Sequence, residues 1–271
     1  MVGLGLIGGS VAMSLRGADR VVTGFDLDAL RRQYSLDHNL IDRDAETLEL
    51  AIRDADEVFV AVPVLQSLAV LQRVDEVMSD EVVVVDAGSV KVPVVEHMQG
   101  LKHAARMVGG HPMAGREVSG PEHSDPHLLN GRNFFLTPNC HTSPNTIQSI
   151  KVMVEALGAF PIVVDAHDHD RAAATTSHLP QLMATVLAGM ASDDVLNYVG
   201  SAFRDVTRIA ASDSVMWRDI FASNRDPVAA TARDFIRRLQ MAIDLVDRDD
   251  RSGIESLMQD GKLRAELVAE R

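Results

Sequence analysis

Apolar residues follow two different rhythms along the chain. Up to about residue 165 they form short β-rich runs, Val21–Phe25, Val58–Val62, Val82–Val85, Asn133–Thr137 and Pro161–Val164, separated by helix-compatible stretches. Continuous Val-rich runs suit strands covered on both faces, and their alternation with helices predicts a mostly parallel, doubly wound α/β sheet. After Asp165 the rhythm becomes helical. Val228, Ala232, Phe235, Leu239, Ala242 and Val246 recur three or four residues apart and draw one apolar stripe. The chain is therefore expected to divide into an α/β half, 1–165, and an all-helical half, 166–271. No repeat, low-complexity tract or long Pro/Gly/Ser linker separates them, so a cleft between closely packed halves is the expected place for a site. One helix, starting near Asp168, contains His178 and Pro180. The proline removes a backbone hydrogen bond, so it either bends this helix or marks its start, and the distortion falls beside His178.

Composition narrows the partners. With 46% hydrophobic residues the chain can bury a sizeable core, and 26 basic against 39 acidic residues leave a net charge of −13. That field repels nucleic acid and anionic membranes. A small anionic substrate requires a local positive pocket, which makes the few cations near a cleft informative. Cys140 is the sole cysteine, which excludes an internal disulfide and a cysteine-held metal and suits the cytoplasm. The opening run MVGLGLIGGSVAMSL has no basic stretch before it and reads as folded protein rather than a signal segment. Leu179–Ala191 is interrupted by Pro180, Gln181 and Thr185 and is too short to span a bilayer.

Gly3, Gly5 and Gly8 form GxGxxG ahead of a helix-compatible stretch. In such a turn the first glycine allows the tight bend, the second lets the backbone approach a pyrophosphate, and the third lets helix pack on strand; the helix N-terminus favours an anion. Asp26, 18 residues beyond Gly8, ends the next β run. A carboxylate there can accept both ribose hydroxyls and repels a 2′-phosphate, which points to NAD rather than NADP. Only Met1 and Val2 precede Gly3, so the first strand is unusually short.

Several residues are candidates for chemistry. Ser89, in DAGSVK (86–91), lies just past the run Val82–Val85, where loops at the carboxyl ends of parallel strands face a cofactor. Two readings are open for it: a hydrogen bond to a nicotinamide amide or a catalytic base, or an ordinary helix cap. His111, in GGHPMAGREVSG (109–120), has glycines on both sides and Pro112 stiffening the loop, a setting for a general base. His97, His103, His123, His127 and His141 have no such setting. The run His167, Asp168, His169, Asp170 reads as a capping, solvated helix start rather than a metal site, because adjacent helical positions diverge. Arg204, Asp205 and Arg208 lie close together in the helical half. Arg208 either grips a carboxylate as a partly buried guanidinium or forms a salt bridge to Asp205 or Asp219. Trp217 reads as a packing residue.

Taken in order, GLGLIGGS (3–10), DAGSVK (86–91), GGHPMAGREVSG (109–120), TSHLPQLMA (176–184) and TRIAASDSVMWRDIF (207–221) resemble the prephenate and arogenate dehydrogenases of tyrosine biosynthesis and span nearly the whole chain. The resemblance implies a Rossmann-like N-terminal domain, a helical C-terminal dimerisation domain, a homodimer and the cofactor NAD. It implies oxidative decarboxylation of a cyclohexadienol: His111 accepts the C4 hydroxyl proton, Ser89 holds His111 and the nicotinamide, and Arg208 binds the ring carboxylate. His178 meets the substrate side chain, Glu117 gates or polarises the pocket, and Asp205 orients Arg208. Cofactor contacts are expected from Gly3, Gly5, Leu6, Ile7 and Gly8, from Asp26, from Val62 and Pro63, and from Ser89; no metal is expected. With neither a regulatory domain downstream nor a mutase segment upstream in this sequence, a monofunctional enzyme is expected, with any tyrosine inhibition competitive.

Overall fold

The structure is a computed structural model, described for residues 1–17 and 19–269. It forms two compact units, Met1–Arg225 and Asp226–Arg271.

The first unit is built on a sheet. Strands β1 (Thr23–Gly24) and β2 (Arg43–Asp44) pair in parallel, and β3 (Glu57–Val60), β4 (Val83–Asp86), β5 (Met107–Pro112), β6 (Asn133–Pro138) and β7 (Phe160–Val163) follow in spatial order. Neighbours are parallel except β5 and β6, where His111 lies opposite Phe135. Val2 joins the two groups of strands, bridging in parallel to Phe25 on one side and Val60 on the other. Its amide donates to the Phe59 carbonyl and its carbonyl accepts from Ala61, so even this brief strand has its backbone groups paired.

Alternation along the strands supplies two cores. Val58, Val60 and Val84 point to one face, packed with Leu71 and Val74 of helix α4 (Val64–Val77) and Val94 and Met98 of α5 (Val92–Gln99); the helices α1 (Leu6–Leu15), α2 (Ala29–Asp37) and α3 (Leu48–Ile52) precede these in the chain. Phe59, Val83, Val85, Val108, Phe134 and Leu136 point to the other, packed with Val11 of α1 and Ile150, Met153 and Val154 of α6 (Pro144–Ala156). Each fully buried Val or Leu contributes about 1.5–3 kcal/mol. Burial on both faces explains why the strands read as continuous apolar runs.

Helices α7 (Ala166–Ala173), α8 (Leu179–Gly189), α9 (Asp193–Leu196), α10 (Ser201–Thr207) and α11 (Ser214–Ser223) complete this unit. Between α7 and α8 the chain makes a π-helical turn, Ala174–His178, with Pro180 in the first turn of α8. The distortion expected beside His178 is thus a widened turn that accommodates the missing proline N–H. Because α7 packs on α5 and β6, and α11 on α4, the helices up to 225 belong with the sheet, and the break in packing falls later than the change in sequence rhythm.

The second unit holds most of α12 (Arg225–Asp247) and all of α13 (Arg251–Ala269). Along the sequence-predicted stripe Val228 is buried, while Leu239 and Val246 are open, as are Ile236, Met241 and Ile243 of α12 and Leu257, Met258, Leu263 and Leu267 of α13.

Candidate active site

Two glycines before His111 set its position. A Cβ at Gly110 would come within 2.3 Å of the Asp86 carbonyl oxygen, and one at Gly109 equally close to Thr137 Oγ1. They serve close packing of β5 between β4 and β6, rather than approach of a ligand. The strand end is then pinned by charge. Lys91 is fully buried, donates to Asp86 Oδ2 and to the Gly110 carbonyl (2.6 Å), and Asp86 accepts the Gly88 and Gly110 amides. Burial pulls the Lys91 ammonium below its ordinary pKa, opposed by Asp86 and Asp170.

His111 is buried, and its Nδ1 lies 2.8 Å from Nε2 of His169. His169 Nδ1 is 2.8 Å from Asp170 Oδ1, and Asp170 also accepts the Lys91 and Val92 amides at the N-terminus of α5. The resemblance implied that Ser89 holds His111; the ring nitrogen paired here is held by His169, and Ser89 sits half-buried in the bend before Lys91. His169 and Asp170 were expected to be solvated. Asp165 does cap α7, accepting the His167 and Asp168 amides, but Ala166, His169, Asp170 and Ala173 form its buried arc. Burial, then the charges of His169, Lys91 and His178, push His111 well below the usual histidine pKa.

His178 is also fully buried, and its pKa is lowered to about 4, chiefly by burial. Asn224 Nδ2 lies 2.9 Å from the Asp170 carbonyl and 3.1 Å from His178 Nδ1. A carbonyl only accepts, so the Asn224 atom facing it is the NH2 group, whose second proton goes to His178 Nδ1. His178 therefore carries its proton on Nε2. That nitrogen and the indole N–H of Trp217, whose ring meets His178 edge-on at 5.9 Å, are both buried without a protein partner among the described residues. Two orphaned donors on neighbouring rings are costly unless a ligand supplies acceptors. Trp217 also packs on Phe221, so the packing reading holds alongside this second feature.

Arg208 begins a tight turn after α10 and is not partly buried: its side chain is 64% exposed and pairs with Glu117, not with Asp205 or Asp219. Asp219 is taken by Arg218, and Asp205 is exposed on α10. Arg208 and Glu117 are thus brought together, as are His111 and His178 through His169, Asp170 and Asn224; Asp205 joins neither group.

The glycine turn suits a dinucleotide. Gly3 has φ +89°, and a Cβ there would strike the Ala61 carbonyl and crowd Val62; a Cβ at Gly8 would strike the Gly3 carbonyl, and one at Gly5 would meet nothing within 4 Å. Gly5 is also the N-cap of α1 and supplies no side chain to its first amides, including those of Leu6 and Ile7. Asp26 lies two residues past β1, its Oδ2 accepting the Leu4 amide and its Oδ1 the Asp28 amide, which fixes its carboxylate beside the turn. Pro63 caps α4 on the neighbouring loop.

Residues 11–163 match the model of the prephenate dehydrogenase nucleotide-binding domain and residues 165–260 that of its dimerization domain. The chain belongs to the prephenate dehydrogenase family. Within it, a cyclohexadienyl dehydrogenase of Zymomonas mobilis is 33% identical over 92% of this chain and 89% of its own. A prephenate dehydrogenase from A. aeolicus, solved in complex with hydroxyphenyl propionate and NAD+, has a TM-score of 0.91 at 30% identity and covers 98% of this chain and 96% of its own. Synechocystis arogenate dehydrogenase follows at 0.85 and 26%, covering 98% of both. The glycine fingerprint precedes the family match, so its geometry is independent support for the nucleotide-binding domain.

Proposed function

We propose that this chain is an NAD-dependent prephenate dehydrogenase that converts prephenate to 4-hydroxyphenylpyruvate. The observation that carries the reading is His111: a buried imidazole, kept unprotonated by its surroundings and anchored through Nδ1, at the carboxyl end of β5. Gly3, Gly5, Leu6, Ile7 and Gly8 would hold the pyrophosphate, Asp26 the adenosine ribose, and Val62, Pro63 and Ser89 the nicotinamide side. NAD held there would supply the acceptor for the hydride that leaves ring C4. His111 Nε2 takes the C4 hydroxyl proton as the C–O bond becomes a carbonyl; loss of the ring carboxylate as carbon dioxide then aromatises the ring, and the proton returns to the phenolic oxygen. Arg208 would bind that carboxylate by leaving Glu117, which frees the guanidinium only when an anion competes for it.

The two orphaned donors favour prephenate over arogenate. His178 Nε2–H and Trp217 Nε1–H suit a keto oxygen and its carboxylate, whereas an ammonium beside His178 would set donor against donor. The open apolar side chains of α12 and α13 support a homodimer closed through the helical domain, with the division 1–165 and 166–271 retained for its two functions. Among the described residues no helix is long and apolar enough to cross a membrane; a cytoplasmic enzyme is the reading we adopt.

The test offers prephenate and arogenate, each with NAD and with NADP, to the purified protein and follows NAD(P)H absorbance. Rapid NADH formation from prephenate is expected. Silence with both acids, despite NAD binding, would overturn the reading, and arogenate preference would reassign the substrate. Because only neutral His111 accepts a proton and its pKa is depressed, kcat/KM should hold constant from pH 8 down to about 6.5 and fall only below that.

A further inference from the structure

We propose that His169, held by Asp170, is a positioning residue for His111: it keeps the proton of His111 on Nδ1, so that Nε2 presents the lone pair that takes the substrate's hydroxyl proton. The inference rests on the function proposed above and adds a residue that the sequence motifs do not single out.

Asp170 Oδ1 already accepts the Lys91 amide, and Oδ2 accepts the Val92 amide at the start of α5. An oxygen facing backbone N–H groups at a helix N-terminus is held as an acceptor. The nitrogen 2.8 Å from it, His169 Nδ1, must therefore donate. In the neutral ring that leaves His169 Nε2 as the acceptor, and its partner 2.8 Å away, His111 Nδ1, carries the proton. The rings meet at 68° with centroids 5.0 Å apart, so the contact is an in-line hydrogen bond rather than a stack. The outcome is a neutral His111 whose Nε2 has no proton to lose and one to gain.

Every element packed here supports that wiring. From β4 and the loop after it come Asp86 and Lys91, a buried ion pair whose ammonium, bonded to Asp86 and to the Gly110 carbonyl next to His111, opposes protonation of His111. From β6 comes the edge of Phe135, 5.5 Å from His169, an apolar wall that offers no competing partner. From the π-helical turn comes His178, occupied on Nδ1 by Asn224, which in turn fixes the Asp170 backbone carbonyl. A proton added to the pair has two destinations, Nε2 of His111 or Nε2 of His169. The second reverses the shared hydrogen bond and places the His111 proton on the wrong nitrogen, so the acid limb of the rate profile belongs to the pair rather than to His111 alone.

Three measurements test this. In protein labelled with 15N-histidine, the wild-type His111 ring should show its proton on Nδ1; a proton on Nε2 overturns the proposal whether or not the enzyme turns over any substrate. If neither prephenate nor arogenate is oxidised, the functional reading fails while this measurement still decides the wiring. In His169→Leu, which removes the acceptor, kcat should fall about 10²–10⁴-fold, the range seen when a group that fixes a histidine tautomer is lost. KM and NAD affinity should stay within about threefold, because no group that touches either ligand is changed. His169→Gln restores a side-chain acceptor that cannot be charged: most of kcat should return, and the acid limb should move to higher pH because a neighbour that depresses His111 is gone. A His169→Leu enzyme with kcat near wild type, or a His169→Gln enzyme as impaired as the Leu variant with KM raised in both, overturns the proposal; the second would mark His169 as a packing residue.

Discussion

Lys91→Met tests whether the active-site strand is held by buried charge. Lys91 and Asp86 are each almost fully hidden from solvent, and the ammonium spans Asp86 Oδ2 and the Gly110 carbonyl next to His111. Methionine keeps the stem and removes the charge. At contact distance and an effective dielectric near 20 the pair attracts by about 4 kcal/mol or more, and removing one partner of a buried pair typically costs about 3–5 kcal/mol. Asp86 retains the Gly88 and Gly110 amides, which places the expectation at the low end, about 3 kcal/mol, with a further ~1 kcal/mol for the Gly110 carbonyl that loses its donor. For a chain of this size that corresponds to a fall in Tm of roughly 10 °C. The assay is urea unfolding followed by far-ultraviolet circular dichroism, with thermal melts alongside. Lys102→Met is the control: its ammonium reaches Asp80 at 3.6 Å with both side chains more than two-thirds exposed, so its loss should cost under about 1 kcal/mol. If the two variants unfold at the same midpoint, the buried pair does not hold the strand, and the account of how His111 is positioned fails with it.

Further outcomes are expected from other parts of the molecule. Burial holds the His178 pKa at about 4 against an ordinary 6.5, so as pH falls through this window the unfolded chain binds a proton the folded one refuses. Stability should drop by about 3 kcal/mol between those values, and His178→Gln should remove that part of the slope in urea titrations; an unchanged slope would refute it. Arg208→Ala should raise the prephenate KM about 10–100-fold with a smaller effect on kcat, and an unaltered KM would reject its carboxylate role. Asp26→Ser should improve the NADP-to-NAD ratio of kcat/KM by about tenfold or more, since a repelling carboxylate is lost from the ribose site; no change would show that discrimination lies elsewhere. Leu239→Glu combined with Val246→Glu should convert a dimer to a monomer in light scattering, and a persistent dimer would exclude that face.

The parts of this molecule that were legible in the sequence are those where one physical rule acts alone. Strands buried on both faces must be apolar throughout, so Val58–Val62 and Val82–Val85 announce themselves, and a proline inside a helical pattern announced the widened turn at His178. The two-residue strand Arg43–Asp44 gave no signal, because an exposed edge needs neither apolar side chains nor alternation. For Arg208, spacing offered as salt-bridge partners only Asp205 and Asp219 of the helical half, since it sees only partners near in the sequence, whereas Glu117 arrives from a loop 91 residues away. His169 and Asp170 were misjudged for the opposite reason. Four charged or titratable residues in a row look solvated, yet the spacing Ala166, His169, Asp170, Ala173 is that of a helix's inward arc, and two small alanines flanking two polar groups mark a face that meets another element closely. A polar pair at core positions needs partners to be tolerated there. Those partners are the α5 amides, His111 and Asn224, all distant in sequence, and they convert a row of hydrophilic residues into the support of a buried base.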